Sequence, residues 1–347
     1  MIWVFTDNRT GNNHQAIALA EKLAGEYTII KLEYNCLAKL PNFLLKYYPM
    51  HVKKEILQGV INKPMPDVII TAGRRTAVLA FYLKKILRKE IKLVQIMRPS
   101  LPYKYFEAVI LPYHDQCNKQ SVIPWLDHGI QKDKLYNAPW IPLQARGTTK
   151  AQNIIPTNGA LNNVTEKFAA ANLELKKHYP NLQQFIAVII GGNSKKFNFT
   201  EKEAVIFSSL LNTIYASHKI PLFISFSRRT PDLVKSIIKN NMPASTMIYD
   251  PAVDIGFNPY IAMLANAKYI ISTVDSISMC SEAASSGKPL YIFCPSNFNS
   301  TKHKIFLKKL IEQKIARMFD ESVTSLEEYS YKPLNEAERV AEIIKSR

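Results

Sequence analysis

The sequence predicts an α/β fold in two doubly wound domains, and three observations carry it. Short apolar runs of strand character alternate with stretches of helical spacing along most of the chain, the pattern of a parallel sheet covered by helices on both faces. The alternation stops between 140 and 182, where Pro142, Gly147, Pro156 and Gly159 punctuate a polar stretch, and then starts again. The composition, 47% apolar and 21% charged over 347 residues, supports two ordinary cores.

In the first half, residues 2–5 read as a strand and 7–13 as a polar loop. Residues 15–24 read as a helix, with Ile17, Leu19, Ala20, Leu23 and Ala24 at helical spacing and Gly25 at the C-terminal cap. Strands follow at 27–32 and 66–71, the second running through Ala72-Gly73-Arg74-Arg75 into a helix over 76–87. Two more strands are expected at 91–97 and 108–111.

After the break, 185–190 reads as a strand ending in Gly191-Gly192. Thr200 to Glu203 fits the T-x-x-E capping box of a helix with Val205, Ile206, Leu210 and Ile214 on one side. A strand at 222–226 precedes Thr230-Pro231, a cap and first-turn proline. Strands at 246–249, 269–274 and 290–293 alternate with a helix capped by Asn258-Pro259 and another over 276–286, stopped by Gly287. Residues 334–344 read as an amphipathic helix. The expected domains are 1–160 and 182–325, and the C-terminal helical segment, 326–347, has the reach to pack back across the domain junction.

Lys plus Arg number 45 against 28 Asp plus Glu, a formal charge of +17. Such an excess suits anionic partners: nucleotide phosphates, nucleic acid or an acidic membrane. No nucleic-acid module is recognisable, so nucleic acid is not an expected partner. Cys36, Cys117, Cys280 and Cys294 share no CxxC or Cys/His ligand spacing, so neither a metal site nor a disulfide framework is expected. No apolar run is long enough to span a bilayer and the N-terminus lacks signal-peptide features, so the expected location is cytoplasmic. Residues 37–60 interleave Leu40, Phe43, Leu44, Leu45, Tyr47, Tyr48 and Met50 with Lys39, Lys46, Lys53 and Lys54. That segment leaves room for a peripheral contact with the inner face of an anionic membrane.

The chemistry is expected at the carboxyl ends of the strands, where loops lead into helix N-termini that attract anions. The loop from Thr6 to Gln15 offers two candidate bases, Asp7 at the strand end and His14 at the helix start, with Gly11 between them. Gly73 permits close approach of the backbone, and Arg74 and Arg75 suit an anion. Gly191, Gly192 and Asn193, with Lys195 and Lys196 behind them, suggest a diphosphate contact. Neither G-x-x-x-x-G-K-[ST] nor G-x-G-x-x-G occurs, which disfavours a P-loop and ordinary nicotinamide or flavin binding. Ser227, Arg228 and Arg229 follow a strand and suit phosphate oxygens. Asp275, Ser276 and Ser278 gather hydroxyl and acidic groups around a helix start, and Glu282 lies on the same helix, where its carboxylate can accept both hydroxyls of a ribose.

These stretches, taken in order, resemble the bacterial branch of the elongated-mitochondria (mitochondrial fission) family, grouped with glycosyltransferases. The matching residues are Trp3, Thr6-Asp7, Gly11 through Gln15, PDVIITAGRR (66–75), Gln95 to Pro99, LPYHD (111–115) and GALNNVT (159–165). They continue through IIGGNSKKF, SFSRRTP, NPY and STVDSISMCSEAASSGKP, so the resemblance runs from the first residues to about 293. It implies a GT-B-like fold of two Rossmann-like domains facing a cleft, with a nucleotide-sugar in the C-terminal domain. A similar pattern occurs in the peptidoglycan N-acetylglucosaminyltransferase that makes lipid II. That likeness implies His14 or Asp7 as base, Glu282 on the ribose, and Gly192, Arg228 and Ser276 on the diphosphate. The opening loop departs from the lipid II enzyme, having Gly11 alone where that enzyme is glycine-rich.

The expected activity is therefore metal-independent transfer of a sugar from a nucleotide-sugar to a cell-envelope lipid or saccharide acceptor, with the nucleotide-sugar as substrate and no bound cofactor. The absence of a D-x-D motif agrees with that expectation. The rival expectation is a non-catalytic adaptor on a membrane or organelle surface that keeps the fold, since plant members are linked to organelle fission.

Overall fold

The computed structural model describes residues 1–347 apart from 24, 40–44, 46–48, 88–89, 117–152 and 195–196. Contacts divide the chain into unit 1, Met1–Asn162 with Asn335–Arg347, and unit 2, Asn163–Leu334. The sequence pattern alone predicts a second domain starting at 182.

Unit 1 runs β1 (Ile2–Thr6), α1 (Thr10–Lys22), β2 (Tyr27–Lys31), α2 (Lys54–Ile61), β3 (Val68–Ala72), α3 (Arg74–Leu87), β4 (Lys92–Ile96), β5 (Ala108–Pro112), the single turn α4 (Tyr113–Gln116) and β6 (Ile154–Thr157). Its six strands are parallel in the order β2-β1-β3-β4-β5-β6. Side chains alternate across a strand, and the sheet uses both faces. Trp3, Phe5, Ile69, Leu93 and Val109 enter one cluster with Leu57 of α2 and Leu79 and Leu83 of α3. Ile2, Val4, Ile70, Val94 and Ile110 enter the other with Ala16, Leu19 and Ala20 of α1.

Unit 2 runs α5 (Phe168–His178), β7 (Ile186–Ile190), α6 (Glu201–His218), β8 (Leu222–Phe226), α7 (Asp232–Asn241), β9 (Met247–Tyr249), α8 (Tyr260–Asn266), β10 (Tyr269–Thr273), α9 (Ile277–Ser285), β11 (Leu290–Phe293), α10 (Thr301–Glu312) and β12 (Ala316–Met318). Its parallel sheet has the order β12-β11-β10-β7-β8-β9. The chain then returns to unit 1 as α11 (Glu336–Lys345), whose Ala337, Val340 and Ala341 join the second of that unit's clusters.

Several elements differ from the expected ones. Helix α1 starts at Thr10, because Asn13 brackets Asp7 from within the helix and draws the polar residues into its first turns. It ends at Leu23 in right-handed geometry, so Gly25 is not a left-handed cap. Val205 points outward at 51% exposure; Ala204, Phe207, Leu210, Leu211 and Ile214 are the buried face of α6. The Thr200 hydroxyl does accept the Glu203 N–H, while the Glu203 carboxylate turns to the Ser296 hydroxyl at 2.9 Å. Gly287 is left-handed, φ 75°, as a helix stop requires. The 37–60 segment, by contrast, is in short pieces as Pro41 and Pro49 in its sequence predict: Cys36–Lys39 is a 3-10 turn, α2 begins only at Lys54, and Lys53 pairs with Glu33 at 2.6 Å. Its residues 40–44 and 46–48 lie outside the described set, as do Cys117, Pro142, Gly147, Lys195 and Lys196.

Candidate functional site

Both sheets change winding direction at one place, and in an open α/β sheet that crevice at the strand carboxyl ends is where ligands bind. In unit 1 the switch lies between β1 and β3, in unit 2 between β7 and β10.

In unit 2 the loops after β7, β8 and β10 close into one network. The Asp275 carboxylate accepts the Gly192 N–H at 2.8 Å and the Thr273 hydroxyl at 2.7 Å. The Thr273 hydroxyl in turn accepts the Gly191 N–H at 2.8 Å. A Cβ on Gly191 would overlap the Asp275 carboxylate, and one on Gly192 would overlap the Arg229 carbonyl. The two glycines are therefore demanded by the protein's own packing. The Thr230 hydroxyl donates to the Gly191 carbonyl at 2.5 Å and accepts the Ser227 N–H at 3.0 Å. It serves the glycine loop instead of capping α7, where Pro231 is the N-cap residue itself. Arg229 reaches across to the Asn193 carbonyl at 3.3 Å and to Asp275 at 3.4 Å, its side chain 46% exposed. The Asn193 side chain accepts the Phe199 N–H, and the Ser227 hydroxyl accepts the Arg229 N–H.

Gly191, Gly192, Asn193, Ser227, Arg229 and Asp275 are thus brought together, with their side chains largely committed to one another. Arg228 is exposed beside them. Ser276 caps α9 by accepting the Met279 N–H, and Ser278 sits half-buried on its first turn. Further along α9, Glu282 accepts the Tyr260 hydroxyl at 2.5 Å. Burial pushes the Glu282 carboxyl above the ordinary carboxylate range; the Tyr260 hydrogen bond and Lys167 pull the other way. Tyr260 is raised well above its usual value, by burial first and by Glu282 next. One of its carboxylate oxygens is thus already engaged by Tyr260.

Two neighbours escaped the sequence reading. Tyr260 stood in the NPY stretch without an assigned role. His303, in the first turn of α10, meets the Ser300 hydroxyl at 2.7 Å and lies near Asp275. Burial lowers its pKa, aided by Arg229 and Lys302 and opposed by Asp275. No motif marks His303, because only the fold brings it to Asp275.

In unit 1, Asp7 is buried at the end of β1, and its carboxylate accepts the Arg9 N–H at 2.8 Å. His14, expected at the helix start, lies a full turn inside α1 and is exposed. Gly11 is exposed in the first turn, its carbonyl accepting the Gln15 side chain. Gly73 is left-handed, φ 92°, and a Cβ there would stand 2.8 Å from Asn12 Nδ2. Its task is to turn β3 into α3, setting exposed Arg74 and half-buried Arg75 in the first turn of that helix. Among the described residues no group of three or more His, Cys, Asp or Glu could hold a metal ion, and no helix is long and apolar enough to cross a membrane.

Two Rossmann-like units, each with its polar loops at the switch point, define a protein of the GT-B fold class. The chain belongs to the Mitochondrial fission ELM1 family, which it matches over residues 10–347. It is 66% identical over 350 residues to the uncharacterized protein RP120 of Rickettsia prowazekii (strain Madrid E), covering 99% of this chain and 97% of that one. It is 25% identical over 304 residues to the mitochondrial fission protein ELM1 of Arabidopsis thaliana, covering 82% of this chain and 66% of the relative. Among solved structures, the UDP-GlcNAc 2-epimerase of Methanocaldococcus jannaschii superposes with a TM-score of 0.60 at 13% identity, covering 100% of this chain and 99% of that one. That likeness is one of fold.

Proposed function

We propose that this protein is a sugar transferase: unit 2 binds a nucleotide-sugar and unit 1 the acceptor. The observation that carries the reading is the unit 2 switch point. There the Gly191–Gly192 turn, Arg229 and the capped start of α9 meet, and Glu282 lies on that same helix. Helix N-termini and guanidinium groups stabilise the charge that develops on a departing diphosphate, and a carboxylate suits a ribose hydroxyl. The fold likeness to an enzyme named for UDP-GlcNAc makes a uridine nucleotide the first to try.

In this reading the acceptor hydroxyl gives its proton to Asp7 as its oxygen bonds to the anomeric carbon. The bond from that carbon to the diphosphate oxygen breaks, and the nucleoside diphosphate leaves. Asp7 is preferred to His14 because it is fixed by Asn13 and Arg9 at the strand end, whereas His14 lies farther along α1.

A thermal-shift panel of UDP, GDP, ADP and CMP tests the donor half. A nucleotide at a hundred times its Kd stabilises by about 2.7 kcal/mol, and Glu282→Ala should remove the response. A flat panel at millimolar nucleotide overturns the reading. So does a nucleotide that binds without any sugar ever being transferred, the behaviour of an adaptor, or one whose sugar is epimerised with no acceptor present.

A further inference from the structure

We propose that unit 1 carries a phosphate site of its own, formed by Arg75, Arg9 and the Tyr34 hydroxyl beside Asp7, and that the acceptor bears a phosphate close to its reacting hydroxyl. The word acceptor rests on the transferase reading; the phosphate site does not.

Arg75 is the first ground. It sits in the first turn of α3, half-buried, with its guanidinium 5.4 Å from the centre of the Tyr34 ring. Lying on a ring uses the face of a guanidinium and leaves its N–H edges to find acceptors. Among the described residues no carboxylate or carbonyl accepts from it. Asp7 is the carboxylate of this sheet end, and one of its oxygens is taken by the Arg9 backbone. Arg9 and Arg75 both act on the Tyr34 hydroxyl beside Asp7.

The second ground is what lies beneath. The Tyr34 hydroxyl is buried and closes no hydrogen bond of ordinary geometry. Burial first, and the nearby Asp7 carboxylate next, raise its pKa, so it stays a donor. His51, fully buried, stacks against Tyr34 with ring centres 5.5 Å apart. Its Nε2 meets the Arg75 carbonyl oxygen at 3.3 Å and its Nδ1 has no partner. Burial lowers the His51 pKa, so the ring is a neutral shelf and no counter-charge. A buried polar group left unpaired costs about 1–3 kcal/mol, and native folds seldom tolerate several together unless water, an ion or a ligand completes them.

A phosphate fits this arrangement better than a carboxylate. Two guanidiniums acting on one phenol, together with the start of the 14-residue α3, offer more donors than a carboxylate uses, and a tetrahedral dianion can satisfy them together. An acceptor hydroxyl next to that phosphate would lie at Asp7.

The source of the phosphate is a lipid headgroup or a soluble ester, and binding assays on the full chain separate them. One arm titrates inorganic phosphate and glycerol 3-phosphate, in the presence of saturating UDP. The other uses phosphatidylcholine vesicles with and without phosphatidic acid. Arg75→Ala should weaken whichever arm binds by at least tenfold, and Tyr34→Phe, which keeps the ring stack, should weaken it by a smaller factor. Both variants should keep the wild-type response to UDP. Binding in neither arm, binding that Arg75→Ala leaves intact, or binding that vanishes with Glu282→Ala instead overturns the site. A missing UDP response beside an Arg75-dependent phosphate response would sink the transferase reading alone.

Discussion

The Asp275 carboxylate closes on the Gly192 N–H at 2.8 Å while no part of its side chain is exposed. An acidic group thus occupies the mouth of a glycine turn, the kind of place where a bound anion is usually sought. The charge is balanced by the Thr273 hydroxyl, the Gly192 N–H and Arg229. Asp275 therefore shapes the loop from beneath, and the surfaces left for a diphosphate are the exposed guanidinium of Arg228, the open part of Arg229 and the first turn of α9.

Gly191→Ala tests that geometry. Its Cβ would overlap the Asp275 carboxylate, and overpacking of this kind costs about 1–3 kcal/mol. Asp275→Ala alone loses the acceptor of Gly192. The double variant relieves the clash, so its loss measured by urea denaturation should be smaller than the sum of the two single losses. Additive losses would mean that the glycine is required for another reason.

Thr230→Val removes one hydroxyl that serves Gly191 and Ser227 at once, at a residue 4% exposed. The expected loss is about 1–3 kcal/mol, with weaker nucleotide binding because the glycine loop slackens. Thr230→Ser keeps the hydroxyl and should retain most of both. A valine variant as stable and as tight-binding as wild type refutes the assignment.

The fold was legible where periodicity is strong. The alternating apolar runs marked the five-residue strands β7, β8 and β10 because these are buried on both faces. β6 is not legible in the sequence, since Pro156 weakens its strand character; among the described residues it is an edge strand paired with β5, where a proline is tolerated. β12 is three residues long and carries an arginine, too little for any period. Helix α10 was overlooked although Phe306, Leu307 and Leu310 mark its buried face. The candidate site was legible as loops at strand ends, because topology puts such loops together. Its internal wiring was not: Thr230 turning from its helix to a carbonyl of another loop, or His303 reaching Asp275, depends on distances that no spacing encodes.

Glu282→Gln should show the conflict between stability and binding. Because burial raises the carboxyl's pKa in the folded state, the folded protein holds this proton more tightly than the unfolded chain. The stability that Glu282 contributes is thus greatest at low pH and falls as pH rises through the raised value. Glutamine removes that loss, so the variant should melt higher than wild type at pH 7, with the gain shrinking toward pH 4.5. Nucleotide binding should move the opposite way: wild-type affinity falls on acidification as the carboxylate is protonated, and the glutamine variant binds weakly at every pH. A melting gain that does not change with pH would contradict the assignment.

Helix α11 raises the question of what ties the end of the chain to unit 1. Beside hydrogen bonds from Arg339 to the Pro156 carbonyl and from Arg347 to the Glu107 carbonyl, an apolar face and an ion pair are present. Val340, wholly buried, enters the sheet cluster with Ala337 and Ala341, and Glu338 pairs with Lys22 of α1 at 2.8 Å. The pair's side chains are 20% and 37% exposed, and ion pairs near solvent are worth under about 1 kcal/mol. Burying a valine side chain is worth about 1.5–3 kcal/mol, so the apolar face should dominate. Val340→Ala is expected to cost about 2 kcal/mol and Lys22→Ala less than half of that. Val340→Asp, which buries an unpaired charge, should release the helix and open residues 335–347 to proteolysis. Were Lys22→Ala the more damaging of the two alanine changes in equilibrium denaturation, the helix would be held by charge, and the apolar account of its docking would fall.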